Sequence, residues 1–169
     1  MAARLRALEI PCALCYRSTA MAGHPYWYVV DYRKDIGAAL NALRDREFVA
    51  GRYNPVIPFP GDLLPIGPHS PAPGAAHASI EAAREASEAD GTRSILDIGS
   101  ISNEPADCAS SAPSDDELTR LFGTTTPSLD QISGCDEFWD TLERGQARHI
   151  VIHGSDGPSH IFFAGYSFD

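Results

Sequence analysis

The chain has 169 residues and a mass of 18.2 kDa, and its 43% hydrophobic and 21% charged residues suit one folded domain over 1–169. Wholesale disorder is excluded by that balance, and no apolar run approaches the ~18 residues that span a bilayer. The net charge of −10 is unevenly placed: residues 1–60 hold eight Lys/Arg against five Asp/Glu, whereas 61–169 hold five against eighteen, which excludes nucleic acid as a natural ligand.

From the N-terminus, residues 1–23 carry Arg4 and Arg6 and end in small residues, but Glu9 and Pro11 interrupt the apolar stretch that a signal peptide needs. A cytoplasmic, soluble protein with reduced thiols is the expectation. Pro11 forbids a continuous helix over 5–19, so a strand is predicted at 13–17. Residues 26–32 (YWYVVDY) are aromatic and β-branched and apolar on both faces apart from Asp31, which predicts an interior strand, hairpinned to the first over Gly23. Asp35 and Gly51 bracket a helix over 36–50, with Ile36, Ala39, Leu40 and Leu43 as its apolar stripe.

Seven prolines between 52 and 78 exclude regular helix or a central strand there. Val56, Ile57, Phe59, Leu63, Leu64 and Ile66 are too apolar for a free linker, so an ordered loop packed on the body is expected. Ser79 opens a peripheral, alanine-rich helix over 80–89, and residues 93–101 (RSILDIGSI) read as an alternating strand. Residues 102–113 are polar and loop-like. Ser114 and Glu117 form a capping-box signature for a helix through Phe122, stopped by Gly123. Thr126-Pro127 predicts a second short helix ended by Gly134, and 136–144 a third with Phe138, Trp139 and Leu142 as its stripe.

The final stretch, RHIVIHGSDGPSHIFFAGYSFD, holds two strand-like runs around Gly154-Ser155-Asp156-Gly157 and predicts a C-terminal β-hairpin. Burial favours the register that separates apolar from polar side chains. A two- or four-residue loop, pairing His153 with Pro158 and Val151 with His160, would put Ile150, Ile152, Ile161 and Phe163 on one face. His149, His153 and His160 would share the other. The order β-β-α, long loop, α-β, three short helices, β-β predicts an α+β fold, with a mainly antiparallel sheet and helices packed on one face.

Four constellations bear on chemistry. Cys12-x-x-Cys15 precedes a strand rather than a helix, and Cys108 and Cys135 lack the spacing of a second zinc pair, so all four read as small buried hydrophobes. His149, His153 and His160, gathered on one face, are a possible ligand or metal site. Arg52 and Tyr53, close after Arg44 and Arg46, are a possible anion site. The carboxylates Asp115, Asp116, Glu117, Asp136 and Glu137 sit at helix N-termini, where they offset the macrodipole. No nucleophile elbow, zinc-protease motif or phosphate loop is present, and no cofactor is implied.

Small size, acidity and the lack of a catalytic motif resemble the general profile of bacterial immunity proteins and antitoxins, which inhibit a toxin by binding it. That profile implies a non-catalytic protein whose partner, a basic toxin domain, meets Glu81, Glu85, Glu88, Asp115, Asp116 and Glu117. The alternative is a small-molecule- or metal-binding enzyme built on the hairpin histidines or the Arg52-Tyr53 turn.

Overall fold

The computed structural model describes residues 23–57 and 66–169. The strand expected at 13–17 and the Cys12/Cys15 pair lie outside the described residues. Within them, β1 (Pro25–Asp31), β2 (Ser100–Ser102), β3 (Ala109–Ser111), β4 (Ala147–Gly154) and β5 (Gly157–Tyr166) form one sheet in the order β1-β5-β4-β3-β2. β5 pairs antiparallel with β1 and β4, while β4-β3 and β3-β2 are parallel. The fold is mixed α+β as expected, but the sheet is mixed rather than mainly antiparallel.

Helices cover both faces, not one. On the first face, α1 (Ile36–Ala50) and α2 (Ile80–Ala86) bring Ala39, Leu40, Leu43 and Ala83 against Tyr26, Tyr28, Ile161 and Phe163. On the second, α3 (Asp115–Phe122), α4 (Leu129–Ser133) and α5 (Asp136–Trp139) bring Leu118, Phe122, Ile132 and Phe138 against Ile150, Ile152, Phe162 and Ala164. The cause is legible in β1: Tyr26 and Tyr28 face one way and Trp27 and Val29 the other, and a strand apolar on both sides needs cover on both. Among the described residues β1 stands at the edge of the sheet, with β5 as its one neighbour.

α1 has the predicted limits. Asp35 accepts from the Ala38 N–H at 2.9 Å, and Gly51 closes the helix in the left-handed conformation. α3 likewise carries both halves of its capping box and ends at Gly123. α4 starts two residues later than Thr126-Pro127 suggested, because Ser128 and Gln131 form a capping box of their own. α2 and α5 are shorter than predicted, α2 giving way to a 3₁₀ turn at Glu88–Asp90.

Two expectations for 93–113 hold only in part, and of the strand expected over 93–101 Ser100 and Ile101 alone are extended, in β2. Ile95–Asp97 form a 3₁₀ turn instead of a strand, because the chain curls round the Asp97 side chain, which accepts from the Thr92 N–H at 2.7 Å. The loop-like Ala109, Ser110 and Ser111 form β3 and are buried between β2 and β4. Their small side chains carry no β propensity; position, not local preference, makes them a strand.

The hairpin is present, with the expected register at the turn and a shifted one beyond it. Gly154 pairs with Gly157 and His153 with Pro158, as a two-residue turn requires. Beyond that, Ser159 is an extra residue on β5, and Ile152 faces His160. Pro158 explains the bulge: β5 lies inside the sheet, and proline cannot donate to a ladder. Ser159 donates its hydroxyl to the Ile152 carbonyl at 3.2 Å, and its own carbonyl accepts from Tyr32 N–H at 3.0 Å. Further along, Tyr26 lies opposite Gly165, and a Cβ there would come within 2.5 Å of the Tyr26 hydroxyl. Glycine is required at that position so that the tyrosine ring can fold over the backbone.

The described parts of the 52–78 loop are tied to the body. Tyr53 is fully buried, stacked on Phe48, with its hydroxyl 3.0 Å from His77 Nδ1. Gly74 donates its N–H to the Ala50 carbonyl at 3.0 Å, directly over the Gly51 backbone.

Candidate functional site

The six carboxylates expected to meet a partner fall into two groups on opposite layers. Glu81, Glu85 and Glu88 are exposed on and just beyond α2, above the first face of the sheet. Asp115, Asp116 and Glu117 open α3, above the second. They are not one patch. Two of the six also have internal duties. The Glu81 carboxyl is held below its ordinary range by its own backbone N–H and by the Ser79 hydroxyl. Glu117 is held down by the Ser114 N–H, and its other oxygen takes Arg148 Nη2 at 3.3 Å.

The two layers differ in charge. α2 lies near Arg44 and Arg84, which both draw on Glu81. Across the sheet, residues 115–143, which run from the start of α3 to the turn after α5, hold eight Asp/Glu and a single Arg, with the exposed Arg144 next in the chain. Seven of the eight, Asp115, Asp116, Asp130, Asp136, Glu137, Asp140 and Glu143, are exposed. Arg120 pairs with Glu137, leaving the rest of this layer strongly negative.

Neither of the other expected sites is assembled. Arg52 does not await an anion: its Nε and Nη2 donate to the two oxygens of Glu47 at 2.6 and 2.9 Å, and Tyr53 is buried beside it. Glu47 is fully buried and also accepts from Arg46 Nε at 2.8 Å. The three histidines do not share a face. The bulge at Ser159 turns His160 to the side of Ile150 and Ile152, away from His149. Among the described residues no group of three His, Cys, Asp or Glu is arranged to hold a metal.

His149 is instead a core residue. Its Nδ1 lies 3.0 Å from the Ser110 hydroxyl, and its ring packs against Phe163 at 6.0 Å between centroids. Burial, with a smaller contribution from the Arg148 charge, lowers its pKa from 6.5 to about 4. Above pH 6.5 both folded and unfolded chains hold it neutral. As pH falls from 6.5 towards 4, the unfolded chain takes up a proton that the folded one refuses, so stability is lost across that window. The loss should reach up to about 3 kcal/mol. Denaturant unfolding at several pH values should show a steeper fall for the wild type than for His149→Gln; equal slopes would contradict this placement.

Sequence reasoning missed the buried polar groups. Asp97, 2% exposed, accepts from Thr92 N–H and from the Ser167 hydroxyl at 2.9 Å, and burial raises its pKa. Arg148, 7% exposed, reaches Ser111, the Ala112 carbonyl and Glu117. Glu47 could have been found, since it lies four residues after Leu43 on the apolar stripe, with Arg52 just past the helix. Cys108 and Cys135 are free thiols, half-buried rather than fully so; Cys108 Sγ accepts from Arg84 Nη2 at 3.4 Å.

The arrangement defines a mixed α+β protein whose second helical layer is acidic. No helix among the described residues is long and apolar enough to cross a membrane. No protein-family model, curated protein or solved structure matches the chain.

Proposed function

We propose that this is a non-catalytic binding protein, of the immunity or antitoxin kind, that inhibits a basic toxin domain by docking it on the acidic layer of α3, α4 and α5. One observation carries the reading: eight carboxylates against one arginine over residues 115–143, seven of them exposed. A surface of that charge raises the encounter rate with a positive partner and disfavours negative ones. Asp115 and Asp116 are its leading contributors, with Glu117 holding the start of α3 in place. Glu81, Glu85 and Glu88, on the other layer, supply general negative potential or a secondary contact.

Co-expression with a basic toxin domain captured on the purified protein tests the proposal. Wild-type protein should restore growth, and Asp115→Lys with Asp116→Lys should lose protection while staying folded. Glu85→Lys with Glu88→Lys should retain most of it. Protection unchanged by the α3 charge reversals would refute the assignment of this layer.

A further inference from the structure

We propose that a cleft beside the end of β1 binds a small carboxylic acid bearing an aromatic or branched apolar group. The cleft measures about 170 Å³, with a floor of Val30 from β1 and Ala39, Ala42 and Leu43 from α1. An apolar cavity of ~150 Å³ holds a benzene ring. Its existence follows from the sequence of α1: Ala39 and Ala42, three residues apart, fall on one flank of the helix, where larger residues would fill the space.

The rim supplies the charge. Arg33, in the turn between β1 and α1, is exposed and has no ion pair among the described residues; Arg46 borders the same cleft. Arg46 commits its Nε to Glu47, which leaves its Nη groups uncommitted among the described residues. One carboxylate, Asp31, also borders the cleft. Asp31 faces His160 on the opposite side of the sheet, with Oδ1 4.0 Å from His160 Nε2 and a fully exposed side chain. Among the described residues it forms no ion pair with Arg33 or Arg46. A carboxylate at the mouth would accept charge-assisted hydrogen bonds from them while its apolar group displaces water from the floor.

The test is a titration of the full chain with sodium phenylacetate, followed by protein NMR. Wild-type protein should show saturable shifts at Val30, Ala39 and Ala42. Arg33→Gln, and the uncharged phenylacetamide on wild-type protein, should each bind roughly tenfold more weakly. Ala42→Trp should abolish binding with its other resonances unmoved; should it fail to fold, Ala42→Leu fills the same space. The proposal is overturned by no saturation with wild-type protein, by phenylacetamide matching phenylacetate, or by undiminished binding in the filled variant.

Discussion

Replacing Glu47 with alanine should destabilise the fold by about 3–5 kcal/mol, the scale for stripping one partner from a buried ion pair. Glu47 is fully buried, and both its oxygens are occupied by Arg52, whose side chain is 13% exposed. Without the carboxylate, the largely buried guanidinium has nothing to offset its desolvation. Arg46, half exposed, can turn to water and adds little. Because the penalty comes from the stranded partner, Glu47→Leu combined with Arg52→Leu should recover much of it. Denaturant unfolding of the two single variants and the double variant checks this. A loss below about 1 kcal/mol for Glu47→Ala would mean that the pair is not buried as described.

Leu40→Ala should cost about 2–5 kcal/mol, the range for emptying a leucine site in a packed core. Leu40 is 1% exposed and shares the first-face cluster with Leu43 and Tyr28. The sheet beneath it is formed by β1 and β5, paired along their length, so the site has little freedom to collapse. Val49→Ala, on the exposed side of the same helix, is the control and should change stability by less than about half a kilocalorie. Similar losses for the two would show that the buried face of α1 is assigned wrongly.

Where local chemistry decides the outcome, the sequence was readable. Asp35 and Gly51 bound α1, and Ser114 with Glu117 starts α3, because caps are satisfied within a few residues of chain. The hairpin turn was similarly local. Its register was read correctly at the turn but not beyond it, although Pro158 was a visible sign that an interior strand would need a bulge. That single extra residue moved His160 across the sheet and separated the histidines. β3 could not be read at all, since Ala109-Ser110-Ser111 is a strand only by virtue of neighbours distant in sequence.

The same division runs through the candidate site. Net charge and its asymmetry are sums over the chain and need no structure. Which carboxylates stand together depends on topology: the chain crosses the sheet between α2 and α3, and so splits the six named residues between layers. Arg52 and Tyr53 looked available because the apolar stripe of α1 was followed only as far as Leu43 and not on to Glu47. Its place on the stripe of Leu40 and Leu43 argued otherwise.

Association kinetics with a basic toxin domain captured on the full chain, measured across ionic strength, test the proposed function most directly. Steering by the acidic α3–α5 layer predicts an association rate that falls by at least about tenfold between low and high salt. Asp115→Lys with Asp116→Lys should slow association at low salt and flatten the salt dependence. A rate independent of salt, or a slope that this variant leaves unchanged, would contradict the account.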